Sequence, residues 1–348
     1  MTAELPAPGL RPGPGTDLFL LGGQPRGCPP SHALSSGASA SGAPASSGPV
    51  PQALRNCVAY ARAAEACGFS GVWLAEHHFI RYGSIAAPLV LAAEILRATS
   101  LHVGTAACVL STRHPVALAE EAGLLEALHD GRFRLGVARG GPWVDLEVFG
   151  TGLARYARGF AEALDLLLAT RAGTVAAAGE FFSFREVPVP APYTGPVWVA
   201  ATSPGTVALA AARGLPLLLG VHEDDKSRLA LLDHYRDCGG PGDAPHAAAY
   251  LAHAGDPGAL RGPLREWLAT TEDYVRLVPG SGRDLDSYVE RLLAVSPVGT
   301  PTECAEKLRV SAAVTRVTHQ LLMVEGAGSP EAVLANIEKL GHALARDF

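Results

Sequence analysis

The chain has 348 residues, 48% of them hydrophobic, which is enough for one large domain or two ordinary domains with a sizeable core. Its formal net charge of -6 at pH 7 argues against binding to nucleic acid or to an anionic membrane, since both need clustered Lys and Arg. A small-molecule ligand is therefore expected.

The cysteines and the N-terminal residues indicate the cellular compartment in which the protein is expected. The 6 cysteines are scattered without a CxxC pair, which favours reduced thiols and no metal-ligand spacing. The N-terminal residues lack the apolar stretch of a secretory signal, and no apolar run is long enough for a membrane span. These features predict a cytoplasmic protein.

The chain begins with a predicted extended segment over residues 1–16 and a short strand at 17–21. Residues 23–50 are almost entirely Gly, Pro, Ser and Ala, which predicts a flexible insertion that cannot pack a core. A helix at 52–67 and a strand at 71–75 follow. The same alternation predicts strands at 101–107, 133–138, 196–201, 215–219, 247–253 and 318–324, and helices at 86–99, 115–128, 158–170, 204–213, 224–238, up to about 313, and 330–345.

These strands are apolar on both faces and alternate with helices, which is typical of a parallel sheet covered by helices. Eight such units in a chain of this length favour a single (β/α)8 TIM barrel spanning residues 1–348. The alternative is a doubly wound sheet with an appended helical domain. In a barrel, the residues just after each strand form the active site.

Three titratable residues, Glu76, His77 and His78, follow the strand at 71–75. Because side chains alternate along a strand, Glu76 and His78 should share one side and His77 should take the other. A neutral imidazole next to a carboxylate suits general acid-base catalysis. Two other interpretations remain open here: a hydrogen-bonded strand end without chemistry, and a metal site.

Other strand ends carry features that suit a phosphate and a flat ring. Arg139, followed by Gly140 and Gly141, offers a planar guanidinium to two oxygens at once. Ser203 and Pro204 fit the start of a helix whose free amides attract an anion. Residues 104–107 are all small and would let a ring approach the backbone. An ordinary helix cap and a surface arginine are the structural alternatives, but a phosphate-bearing planar cofactor beside a histidine explains all these features together.

Five blocks of sequence, at residues 72–79, 103–121, 131–140, 195–216 and 296–304, closely resemble the bacterial luciferase α-subunit family in the right order. The resemblance covers roughly residues 51–348. It implies a two-component FMN-dependent monooxygenase that receives reduced FMN from a separate NAD(P)H-dependent flavin reductase. The reduced flavin would react with O2 to a flavin hydroperoxide that oxygenates a small organic substrate, and the chain would form a homodimer.

The resemblance also implies roles for individual residues. His77 takes the position of the catalytic histidine, with His78 and Glu76 in support, and no metal is implied. Arg139 matches the arginine that binds the FMN phosphate, and Arg158 matches a second arginine near it. The implied cofactor-binding set is Ala106, Ala107, Ala138, Arg139, Gly140, Arg158, Ala200, Ala201, Ser203 and Thr206, with a cis bond between the paired alanines; Trp143 and Asp145 are candidates for the substrate pocket.

The chain departs from the family pattern at several places. Ala138 replaces a reactive cysteine, Thr202 replaces a glutamate, the lid loop at about 277–296 is shorter, and residues 23–50 are inserted. Because the lid and the insertion fall where a substrate would enter, we expect a substrate other than a long-chain aldehyde, such as a secondary-metabolite intermediate. Two alternatives are a deazaflavin-dependent oxidoreductase of the same superfamily and a non-catalytic flavin-binding protein.

Overall fold

The structure, a computed structural model, describes residues 15–23, 49–273 and 284–345. Eight parallel strands form its centre, and most of their residues are buried. They are β1 (Gly15–Leu20), β2 (Gly71–Leu74), β3 (His102–Thr105), β4 (Phe133–Ala138), β5 (Val197–Ala200), β6 (Leu217–Leu219), β7 (Ala247–Leu251) and β8 (His319–Met323).

The strands pair in the order β3-β2-β1-β8-β7-β6-β5-β4, and a further pairing of β3 with β4 closes the sheet into a barrel. In the register of the strands, Trp73 of β2 lies opposite Gly104 of β3. Only a residue without a side chain fits there, because a Cβ on Gly104 would lie 2.6 Å from the Trp73 ring. The predicted (β/α)8 barrel is confirmed, and the doubly wound alternative is wrong.

Helices surround the barrel, and several begin with the capping residues that the sequence supplies. Thr300 and Glu303 form a capping box at the start of one helix, and the Ser329 side chain caps the last helix. The helices are α1 (Pro49–Ala66), α2 (Pro88–Ala98), α3 (Pro115–Leu128), α4 (Asp145–Val148), α5 (Gly152–Ala169), α6 (Pro204–Ala211), α7 (Asp225–Asp237), α8 (Pro257–Ala269), α9 (Leu285–Val295), α10 (Pro301–Thr315) and α11 (Pro330–Leu344).

Four predicted boundaries need correction. The helix predicted at 158–170, α5, begins earlier, at Gly152. β1 includes residues 15 and 16, and α1 starts within the predicted insertion, at Pro49. The predicted lid loop contains α9, because Asp284 caps this helix and its Val289 and Leu292 are buried. The rest of the extended start, the insertion and the lid loop, at residues 1–14, 24–48 and 274–283, lies outside the described residues.

An antiparallel hairpin, formed by Thr174–Ala178 and Ser183–Pro188, follows α5 and was not predicted. Within the described part of the chain, no helix is both long and apolar enough to cross a membrane.

Candidate active site

The end of β2 divides its three titratable residues between two environments. The Glu76 carboxylate and the His78 ring lie on the same side, with 3.0 Å between Glu76 Oε1 and His78 Nε2. The His77 ring instead contacts the edge of the Tyr82 ring, with 5.4 Å between centroids. This is the alternation predicted from the strand geometry.

Glu76 is buried and holds three partners. Besides His78, Arg113 Nη2 lies 3.0 Å from its Oε2, and the Val109 amide donates to the same oxygen over 3.3 Å. A buried carboxylate costs free energy unless it is paired in this way. The contact fixes His78 with its Nε2 toward the carboxylate.

Arg113 is the residue of this network that the sequence did not reveal. It lies just before α3 and also pairs with Glu121 of that helix, with 3.6 Å between Arg113 Nη1 and Glu121 Oε2. Its contact with Glu76 joins two separate βα units. Only the closeness of the ends of β2 and β3 in a barrel could have suggested it.

His77 is held in its neutral form. Burial, and to a smaller extent the neighbouring His78, lower its pKa to about 4. Its backbone amide donates to the Ile85 carbonyl over 2.9 Å, which fixes the loop after β2. At neutral pH, His77 therefore has one ring nitrogen able to accept a proton and one able to donate.

Asp145 is buried at the start of α4, and burial raises its pKa. His78 lowers this pKa and Glu76 raises it, so Asp145 interacts electrostatically with both residues of the Glu76–His78 pair. The Trp143 ring is half-buried against the backbone of Gly141, where a Cβ would lie 2.5 Å from the ring. Whether either residue contacts a substrate stays a prediction.

Small side chains form a flat floor next to these groups. Ala106, Ala107 and Ala200 are half-buried and pack against a buried cluster that contains the indoles of Trp73 and Trp198. The Ala106–Ala107 peptide bond is cis, as the resemblance implies. Ala138 is half-buried at the end of β4, and Ala201 is buried after β5. Methyl groups on a rigid aromatic base leave room for a planar ring.

Arg139, at the end of β4, supplies positive charge at the same rim. Its guanidinium lies 4.9 Å from the centroid of the Tyr156 ring. Gly140 has a φ of 83°, which a side chain would disfavour, and a Cβ there would lie 2.5 Å from Val109. Arg139 therefore follows β4 in a turn that requires glycine.

Ser203 precedes α6 as predicted, but its side chain does not cap the helix. Its hydroxyl lies 3.1 Å from the Thr206 hydroxyl instead. Two adjacent hydroxyls and a first turn without a side-chain cap suit an anion, since the helix amides carry a partial positive charge.

Arg158 is engaged elsewhere. Its side chain is 60% exposed, pairs with Glu180 of the hairpin turn and lies 5.7 Å from the Phe181 ring centroid. Arg155, one turn earlier, is less exposed and donates to the carbonyls of Leu110 and Arg113. The structure thus directs Arg158 to the hairpin, and a phosphate contact for it stays a prediction.

The model of the luciferase-like monooxygenase family matches residues 32–319. The chain belongs to this family. It is similar to the alkanal monooxygenase alpha chain of the Kryptophanaron alfredi symbiont, with 30% identity over 326 residues, 82% of this chain and 90% of that one. This luciferase-like chain is accordingly an oxidoreductase of the monooxygenase type.

Solved structures support the fold of the luciferase-like chain. An FMN-bound type II Baeyer–Villiger monooxygenase from Pseudomonas putida has a TM-score of 0.70 and 16% identity, covering 96% of this chain and 98% of that one. An F420-dependent secondary alcohol dehydrogenase has a TM-score of 0.72 and 15% identity, covering 96% of this chain and 99% of that one. At these identities the likeness is one of fold.

Proposed function

We propose that this luciferase-like chain is the oxygenase component of a two-component, FMN-dependent monooxygenase. A separate NAD(P)H-dependent flavin reductase would supply reduced FMN. With O2 as co-substrate, the enzyme would transfer one oxygen atom to a small organic substrate, such as a secondary-metabolite intermediate. The observation that carries this proposal is a half-buried, neutral His77 at the same strand ends as a set of small residues and a cationic anion site.

The residues present fit FMN. Ala106 and Ala107 would lie under the flat ring, and both pack against the buried cluster that contains Trp73 and Trp198. Arg139 would bind the phosphate with the hydroxyls of Ser203 and Thr206. Reduced FMN supplies the two electrons that activate O2. The protein's part is to bind, orient and exclude water.

His77 is the residue we propose to accept and return the proton at the reacting centre. Because its pKa lies near 4, His77 is neutral at pH 7 and has a ring nitrogen open to a proton, and its protonated form returns that proton readily. Glu76 holds His78, and Arg113 and the Val109 amide fix Glu76 in turn. These residues would keep the loop after β2 in one arrangement.

A deazaflavin is the second candidate cofactor, because the F420-dependent alcohol dehydrogenase has the same fold with a TM-score of 0.72. Such a cofactor would transfer hydride and would not need O2. The 30% identity to an alkanal monooxygenase alpha chain favours FMN. A flavin-binding protein without turnover would not need the half-buried, neutral His77.

We also propose a homodimer that forms through α2 and α3. Val90 is 73%, Leu124 56% and Leu128 64% exposed, and a groove of about 600 Å³ runs between these helices. Exposed apolar side chains grouped on one face mark an interaction surface. Leu124→Glu should give monomers in sedimentation velocity if this face pairs two copies, and an unchanged dimer would exclude this interface.

We also propose that the protein works in the cytoplasm, because its proposed reductase partner uses NAD(P)H.

The proposed reaction is tested by isotope labelling. The protein, a flavin reductase, FMN and NADH are incubated with candidate substrates under ¹⁸O2, and products are analysed by mass spectrometry. One labelled oxygen atom per product molecule, absent without FMN, supports the proposal. Oxidation without label, or turnover that proceeds under anaerobic conditions with F420, contradicts it.

A further inference from the structure

A chain of aromatic contacts connects the His77 ring to helix α8. The Tyr82 ring meets His77 nearly at right angles, with an interplanar angle of 84°. Its face stacks on Trp267 of α8, with 4.8 Å between centroids and an angle of 24°. Trp267 Nε1 also donates to the Tyr82 carbonyl over 3.0 Å. The indole therefore holds both the ring and the backbone of Tyr82.

Glycines let the backbone close around these rings. A Cβ on Gly83 would lie 2.6 Å from His77 Nδ1 and 2.9 Å from the Leu21 carbonyl. A Cβ on Gly23 would lie 2.9 Å from Trp267 Nε1. The imidazole and the indole thus each lie against bare backbone, and neither has room for an added methyl group there.

We infer that Tyr82 and Trp267, together with Gly83, are positioning residues that hold the His77 ring in one orientation and keep water away from it. Below, these three residues are called the aromatic brace. The brace makes α8, which is distant in sequence, part of the machinery that sets the state of His77.

The brace gives the His77 ring aromatic surroundings. Its titratable neighbours include His78, the next residue in the chain, and Tyr82. The largest cause that lowers the pKa of His77 is burial, and aromatic rings are what surround it on the Tyr82 side. Stacked and edge-on aromatic pairs are also directional, so they orient as well as cover.

The consequence for catalysis rests on the proposed function of His77, whereas the positioning itself does not. Trp267 is only 8% exposed, and Tyr82 lies between it and His77. A change at Trp267 is therefore expected to reach His77 through Tyr82. The brace is therefore distinct from the small residues Ala106, Ala107 and Ala200, which follow or end other strands.

The test is an NMR titration of His77 in the flavin-free protein, with its signal assigned by comparison with His77→Asn. Trp267→Leu removes the stacked indole and should raise the His77 pKa by about one unit or more, because water reaches the ring. Trp267→Phe keeps an aromatic ring but loses the N–H donor, so it should raise the His77 pKa by a smaller amount. Arg261→Ala, an exposed change on the same helix, is the control and should leave it unchanged.

Activity with reduced FMN then provides a second measurement. Trp267→Leu should lower kcat about tenfold or more while the affinity for reduced FMN stays the same. If Trp267→Leu fails to fold, Gly83→Ala replaces it and should shift the His77 signals by displacing the ring. An unchanged His77 titration in a folded Trp267→Leu or Gly83→Ala variant overturns the brace. Full turnover in His77→Ala overturns the proposed catalytic role of His77 instead and leaves the titration result standing.

Discussion

The two ends of the barrel interior both bury ionisable groups, yet they do so in different ways. At the N-terminal end, Asp17 is fully buried and accepts from Trp73 Nε1 at 2.7 Å and Ser70 Oγ at 2.8 Å. Arg134 Nη1 lies 3.7 Å from its Oδ2, and His319 Nδ1 lies 3.9 Å away. Asp17, Trp73, Arg134 and His319 are all buried, and only the Ser70 end of this cluster is exposed.

At the C-terminal end, Glu76 has similar partners, but its network reaches the surface. His78 and Arg113 are 12% and 22% exposed and line the groove between α2 and α3. His77 lies at the strand ends near the flat floor. Buried charge alone thus does not identify an active site, because structural clusters bury it as well. The position at the C-terminal strand ends makes the difference.

The largest effect that separates the two ends is expected from His77→Ala. Loss of a positioned acid-base group should reduce turnover about 10²–10⁴-fold, while the affinity for reduced FMN stays within about twofold. Single-turnover kinetics with saturating reduced FMN would measure this. Turnover equal to that of the parent would show that His77 has no role in catalysis. The C-terminal end of the barrel would then not differ in function from the N-terminal end through this residue.

Asp17→Ala should have its effect on stability. It leaves Arg134 buried without its carboxylate and removes the acceptor of Trp73, so the free energy of unfolding should fall by about 3–5 kcal/mol. Urea unfolding followed by fluorescence would measure the change. Asp17→Asn is the matched control, since it keeps an acceptor for Trp73 and removes only the charge. A loss of less than about 1 kcal/mol for Asp17→Ala would show that the N-terminal cluster is not structural.

The smallest effect is the pH dependence of stability. Burial lowers the pKa of both His246 and His319 to about 4, whereas an unfolded histidine titrates near 6.5. The unfolded chain therefore binds more protons between these values, and stability should fall as pH drops from about 6.5 to 4.

His246→Gln isolates one of these protons. The Leu217 amide donates to His246 Nδ1 over 3.1 Å, and a glutamine oxygen can replace this acceptor. The slope of unfolding free energy against pH should decrease by about 1.4 kcal/mol per pH unit in this range. An unchanged slope would mean that His246 does not titrate between the folded and unfolded states.

The sequence predicted the barrel well because each strand is a short apolar run between polar helices. It also predicted that Glu76 and His78 share a side, because alternation along a strand is a local property. The antiparallel hairpin was not predicted, because a parallel (β/α)8 barrel does not require one. Its first strand alternates between exposed and less exposed residues and ends just before Gly179. α9 escaped because the resemblance suggested a loop there, whereas its buried Val289 and Leu292 favour a helix.

The contacts that could not be predicted join residues far apart in the chain. Arg113 reaches Glu76 and Trp267 reaches Tyr82 only because the barrel closes and α8 packs over the loop after β2. Arg134 and Asp17 were read only as parts of apolar strands. Such pairs depend on three-dimensional packing, and neither composition nor spacing encodes them locally. Likewise, nothing in the sequence around Arg158 indicated its pairing with Glu180.

The central claim is that a flavin site with a phosphate-binding group lies at the C-terminal strand ends. The most direct test measures anaerobic binding of reduced FMN, riboflavin and F420 to the parent protein and to the Arg139→Ala variant. FMN should bind the parent more tightly than riboflavin and F420, and Arg139→Ala should weaken FMN by about 1.5–3 kcal/mol with little effect on riboflavin. Equal affinities of the parent for FMN and riboflavin, or tighter binding of F420, would contradict the account.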